Sequence, residues 1–156
     1  MQKNNDPNSL EKPQISNCPQ NIKDEVKYQF NKEFTTESLR EKTWILGELQ
    51  VGDCKITSTD IRIMEDGHYN LVVEIYDHGS AIDVPDTFDI DINLWGPAPH
   101  DELIETWNIR KTLKSGESDT IKIPPLEIPS PPSPKIKVNF DRIEVASRSL
   151  SCQNEN

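Results

Sequence analysis

From Phe88 to Leu94 the chain alternates strictly: Phe88, Ile90, Ile92 and Leu94 are apolar, and Asp89, Asp91 and Asn93 stand between them. An extended strand sends successive side chains to opposite faces, so this run requires a sheet with one buried face and one wetted face. The same period returns along the chain. Tyr69, Leu71, Val73 and Ile75 alternate with Asn70, Val72 and Glu74, just after an Asp66-Gly67 hairpin signal. Trp44 and Leu46, then Leu49 and Val51, alternate with a slip of phase at Gly47-Glu48, where a bulge is expected. Cys54 and Ile56, then Ile61 and Ile63, slip again between Thr57 and Asp60. Leu103, Glu105, Trp107 and Ile109 suit a further strand, Lys114-Ser115-Gly116 a turn, and Ile121 and Ile123 a short strand. Ile136, Val138 and Phe140, then Ile143 and Val145, read as a closing strand with a slip at Asp141-Arg142. About seven short strands separated by regular turn signals predict an all-β fold, a mainly antiparallel β-sandwich. A barrel is the alternative.

The flanks differ. Residues 1–19 are almost free of apolar side chains and cannot offset the entropy of ordering them, which predicts a disordered polar tail. Ile22, Val26, Phe30 and Phe34 then recur every four residues, which predicts one short N-terminal helix over 20–35. Its expected role is to cover an edge or end of the sandwich, the alternative being a helix that docks a partner. The sandwich domain is expected over 43–147, with a polar tail at 148–156. Residues 124–134 hold six prolines, too many lost N–H donors for a central strand. Polyproline II rises about 3.1 Å per residue, so this stretch is expected to carry the chain from one end of the sandwich to the other. Its Pro129-x-x-Pro132 and Pro131-x-x-Pro134 spacings also fit an SH3-type ligand.

Of the 156 residues, 33% are hydrophobic, and the mean hydropathy is -0.70, enough for one modest core. No run approaches the roughly 18 apolar residues that span a bilayer, so no membrane segment is expected. The polar start Met1-Gln2-Lys3-Asn4-Asn5-Asp6 leads into no apolar stretch, so no secretory signal is expected. Cys18, Cys54 and Cys152 are odd in number, far apart and outside any CxxC or zinc spacing. Free thiols in a cytoplasmic protein are the expectation. A Cys18–Cys152 disulfide clamping the two tails is the alternative.

The formal net charge of -10 is concentrated: residues 60–109 hold twelve acids and one base, Arg62. Phosphate recognition needs clustered Lys and Arg, so nucleic acid and anionic membranes are poor partners. A cationic protein, a metal ion or solubility alone remain. Asp89 and Asp91 share one strand face, and Glu74 would join them if strand 69–75 paired with strand 88–94. Like charges on cross-strand neighbours destabilise a sheet, and a cationic partner would relieve that repulsion. The expected partner site is therefore Glu74, Asp77, Asp83, Asp86, Asp89 and Asp91. The leading expectation is a non-enzymatic acidic binding module, of the type of an immunity protein that neutralises a cationic toxin. Calcium takes six to eight oxygen ligands, and Asp77, Asp83 and Asp86 would be its ligands. A calcium- or carbohydrate-binding sandwich is thus the first alternative and a small hydrolase the second. Against the hydrolase, His68, His78 and His100 all fall in or beside turns, and no Gly-x-Ser-x-Gly elbow accompanies them. Cys54 suits a small core residue. Asp53 suits an acceptor for nearby turn amides.

The run Trp44-x-x-Gly47-x-Leu49-x-Val51-Gly52-Asp53-Cys54, followed by Asp66-Gly67, resembles a bacterial domain family of unknown function whose members carry a tryptophan, a Gly-Asp-Cys triplet and an Asp-Gly hairpin. The resemblance covers residues 44–95. It implies a fold and a bacterial source, and no activity. The Pro-rich stretch and the N-terminal helix depart from the pattern.

Overall fold

The computed structural model describes residues 20–26, 33–35, 39–79, 84–97, 102–127 and 130–154, the first two segments by backbone alone. The strand alternation resolves into two antiparallel sheets. One has the order β1 (Gln20–Val26), β10 (Val145–Asn154), β7 (Asp86–Trp95), β8 (Leu103–Leu113). The other has the order β2 (Glu33–Thr35), β3 (Arg40–Leu46), β5 (Cys54–Met64), β6 (Tyr69–Asp77), β9 (Ser118–Ile123), with β4 (Leu49–Val51) also paired to β5. Their apolar faces share one core. Trp44, Ile61, Leu71 and Val73 come from one sheet, and Phe88, Ile90, Ile92 and Leu150 from the other. Fully burying each such side chain contributes about 1.5–3 kcal/mol.

Most of the period-two expectations hold. β3 gives way to β4 across Gly47-Glu48, and the β5–β6 register shifts between Ile56 and Ser58. The turn at Asp66-Gly67 reverses the chain with Gly67 at φ 97°. A side chain could not replace that hydrogen, because a Cβ there would meet the Ser133 carbonyl oxygen.

Four expectations are corrected. First, the stretch expected to form an N-terminal helix contains β1 and β2, and β1 pairs with β10 from Gln20↔Cys152 to Val26↔Ala146. A spacing of four is also an even number, so Ile22 and Val26 share one face of a strand as readily as one face of a helix. Second, the single described α-helix lies near the C-terminus. α1 (Pro134–Asn139) replaces the first half of the expected closing strand and runs into a 3₁₀ turn over Phe140–Arg142. Ser133 caps it by accepting from the Ile136 amide at 3.2 Å, and Pro134 at its first position lacks the N–H that would go unbonded there. Ile136 and Phe140 are buried one helical turn apart, while Val138 is 79% exposed.

Third, the expected C-terminal polar tail belongs to β10. Ala146, Arg148, Leu150 and Cys152 are buried, and between them lie Ser147, also buried, and the half-buried Ser149 and Ser151. Arg148 is 1% exposed, with its guanidinium on Thr59 Oγ1 at 2.8 Å and the Gly47 carbonyl at 2.6 Å. Asp24 of β1 stands opposite it in register. Fourth, Cys152 pairs with Cys54 rather than remaining free or joining Cys18, and the disulfide ties β10 of one sheet to β5 of the other. Cys18 lies outside the described residues. The Pro-rich stretch does cross between sheets, from β9 to α1 and β10. It does so at one end of the sandwich, however, because β9 finishes beside Leu71 and β10 starts beside Trp95. Among its prolines, Pro134 is helical and Pro129 lies outside the described residues.

Candidate metal centre

Three strand termini meet at the end of the sandwich opposite α1: the start of β5, the end of β6 and the start of β7. At the first, Gly52, with φ 59°, turns β4 into β5 and presents Asp53. At the second, Asp77 closes β6. Its backbone is held by the β8–β9 turn, where Asp77 N donates to the Glu117 carbonyl and Gly116 N to the Asp77 carbonyl, both at 2.9 Å. At the third, Asp86 opens β7, opposite Leu113 of β8 and Asn154 of β10. One carboxylate oxygen from each of Asp53, Asp77 and Asp86 lies within 4.8 Å of the others. Oxygens bound to a common calcium ion at about 2.3–2.6 Å can be no more than about 5 Å apart, so the three fit around one such ion.

Burial makes the grouping costly. Asp77 is 0% exposed and Asp86 3%, whereas Asp53 is exposed. Asp77 Oδ1 accepts the Gly79 amide at 3.0 Å. Gly79 fits there because a Cβ would run into Ser115 and crowd that same oxygen. The Asp86 carboxyl lies within hydrogen-bonding reach of Asp77, and that bond forms only while one of the two carries a proton. Asp77 Oδ2 is buried with no hydrogen-bond partner. Burial pushes the Asp77 carboxyl above its usual range and the neighbouring Asp53 charge adds to this, against the contacts with Asp86, the Gly79 amide and His78. Buried atoms of Trp44 and Asp60 also lack partners, but neither residue belongs to the carboxylate cluster.

The six expected site residues therefore separate. Asp77 and Asp86 meet, with Asp53 as the third member. Asp83 lies outside the described residues. Asp53 had no signal beyond a turn aspartate after glycine, and its carboxylate faces the other two acids instead of capping turn amides. Asp89 and Asp91 sit on the outer face of β7, and they are not bare. Asn108 Nδ2 donates to Asp89 at 2.9 Å and to Asp91 at 2.8 Å, and Arg110 pairs with Asp89 at 3.2 Å. Glu74 does not join them. β6 pairs with β5 and β9, whereas β7 pairs with β10 and β8. Glu74 stands instead between Ser58 and Thr120 on the other sheet. Histidine takes no part in a nucleophilic pair among the described residues: His68 contacts Asp66, and the His78 ring packs edge-on to Tyr76 at 5.2 Å. No helix among the described residues is long and apolar enough to cross a membrane.

In comparisons with known proteins, no protein-family model and no curated protein matches the sequence.

Proposed function

We propose that this chain is a non-enzymatic binding module whose ligand at the Asp53–Asp77–Asp86 centre is calcium. The observation that carries the reading is that Asp77, grouped with two further carboxylates, has a buried Oδ2 with no hydrogen-bond partner. A buried charge is stable when paired or bound to a metal, and a hard, all-oxygen donor set favours calcium or magnesium over zinc or copper. Calcium is favoured over magnesium because it tolerates irregular geometry and needs no near-ideal octahedron. Exposed Asp53 leaves one side of the centre open to water or to a ligand's oxygens. The Cys54–Cys152 disulfide supports placing the module in an oxidising compartment, in place of the cytoplasm expected from the cysteine count. Calcium is abundant outside the cytosol, where modules with dissociation constants of about 0.1–1 mM suffice.

The cationic-protein reading keeps less support. Its motive was unrelieved repulsion between Asp89 and Asp91, and Arg110 and Asn108 relieve part of it.

Calcium titration tests the proposal. A ligand that binds the folded state stabilises it by about 2.7 kcal/mol at a hundredfold excess over its Kd, which raises the Tm by roughly 5–10 °C for a chain of this size. Asp77→Asn and Asp86→Asn should each abolish that rise, and magnesium should produce less of it. A flat Tm up to 10 mM calcium would sink the proposal.

A further inference from the structure

The disulfide and the carboxylate centre bridge the same two sheets at the same end. Asp53 and Asp77 come from the sheet that contains β5 and β6, and Asp86 comes from the sheet that contains β7 and β10. Cys54 follows Asp53 directly in the chain and faces Asp77 in the β5–β6 register. Its sulfur lies 3.9 Å from the carbonyl of Thr87, the residue after Asp86. Cys152 stands opposite Phe88, two residues from Asp86, on the strand that also pairs with Asp86. Each acid of the centre is thus adjacent, in sequence or across a ladder, to a segment that the disulfide fixes. A second tie between the sheets here is the β8–β9 turn, which grips Asp77 by two backbone hydrogen bonds while β8 pairs with β7.

Resting on the calcium reading above, we propose that the Cys54–Cys152 bond is a redox gate on cation affinity. With the bond intact, Asp53 and Asp77 are held at ligand distance from Asp86. A dithiol reductant delivers two electrons and two protons to the bond, leaving two protein thiols and the reductant as its own disulfide. The sheets are then free to part at this end, where a metal site needs its ligands held to within about 0.5 Å. Affinity falls without vanishing, because the β8–β9 turn still holds Asp77 near Asp86. Coupling between two binding equilibria is reciprocal, so calcium must protect the disulfide by the same factor by which the disulfide tightens calcium.

The experiment uses the full chain carrying Cys18→Ser, so that every titrated thiol belongs to the pair. Calcium chloride is titrated calorimetrically into the oxidised protein and into protein reduced with a phosphine, with far-UV circular dichroism on both. The expected result is a β spectrum in both states and a Kd at least tenfold weaker after reduction. In a dithiothreitol redox buffer, the reduced-to-oxidised ratio that opens half the bonds should shift by the same factor between calcium and EGTA. Equal affinities in the two states would overturn the gate and leave the calcium site standing. So would a reduced chain that loses its β spectrum, since the disulfide would then be holding the fold and not the site. No binding heat with the oxidised protein would instead overturn the calcium reading, and the gate with it.

Discussion

The two ends of this sandwich treat buried polarity in opposite ways. At the α1 end, polar groups are spent on closure. Ser133 accepts from the Ile136 amide through Oγ and donates to Glu105 Oε2 at 2.7 Å, and its own amide donates to the Gly67 carbonyl at 2.8 Å. Buried Lys42 donates to the Phe140 and Ile143 carbonyls at 2.8 and 3.1 Å and lies 4.9 Å from the Phe140 ring centre. There the cation finds neutral acceptors and an aromatic face, an arrangement that needs no external partner. At the other end, like charges face one another and an oxygen is left over, with a covalent bond alongside. A stretch of protein that only had to be stable would resemble the first end. The second gives up local stability, as sites built to bind something do.

The largest expected effect separates the ends by the nature of their ties. Replacing Cys54 and Cys152 together by Ala removes a cross-link between residues 98 apart in the chain. Chain entropy puts that loss near 4–5 kcal/mol for a loop of about 100 residues, a fall of roughly 10–20 °C in Tm. At the α1 end the comparable cut is Ile136→Ala. Ile136 is fully buried, and such truncations cost about 2–5 kcal/mol depending on how far the cavity collapses. Urea unfolding of both variants gives the order. If Ile136→Ala costs more than the double cysteine variant, the helix, and not the disulfide, is the chief clasp between the sheets.

How much of this was legible in the sequence follows the same division. Period-two alternation in β5, β6 and β7 is visible because each strand buries one face, and β9 shows it with a half-buried face; that pattern depends on local residues alone. At the α1 end two periods coincide. Ile136, Val138 and Phe140 fit a strand by twos, yet Ile136 and Phe140 also fit a helix by fours. The deciding signal was Ser133-Pro134, a capping hydroxyl followed by a residue suited to the first helical position. β10 carries Arg148 among Ala146, Leu150 and Cys152 on its inward face, so hydrophobicity alone does not alternate along it. Its serines at 147, 149 and 151 do alternate. The carboxylate centre was half legible. Asp77 and Asp86 stand out at strand ends, but Asp53 reaches them only because Cys54 pairs with Asp77, and no local pattern encodes that pairing.

A smaller effect tests whether the carboxylate end is under electrostatic load. In EGTA, Asp77→Asn removes one of the facing charges while its side-chain carbonyl can still accept the Gly79 amide. It should stabilise the protein by about 1 kcal/mol, the low end of what an unsatisfied buried polar group costs. In 10 mM calcium the ranking should invert, with the native sequence the more stable. Thermal melts of both proteins in both buffers measure this. A variant that is less stable in EGTA as well would mean that the carboxylate is compensated without a cation.

The smallest expected effect lies between the two ends, on the outer face of β7, and its value is in its sign. Asp89 and Asp91 share the Asn108 amide, but Arg110 pairs with Asp89, and among the described residues no basic side chain reaches Asp91. Asp89→Asn gives up an exposed ion pair, with side chains 63% and 38% exposed, while relieving repulsion with its neighbour. Asp91→Asn relieves the same repulsion and gives up no ion pair. The first should therefore be slightly destabilising and the second slightly stabilising, each by less than about 0.5 kcal/mol, the scale of surface pairs and cross-strand contacts. At 1 M salt, where the screening length is about 3 Å, the difference between them should shrink towards zero. If both variants are destabilising by more than about 1 kcal/mol at any salt, the two carboxylates are structural acceptors, and the sheet face depends on them as the α1 end depends on Ser133.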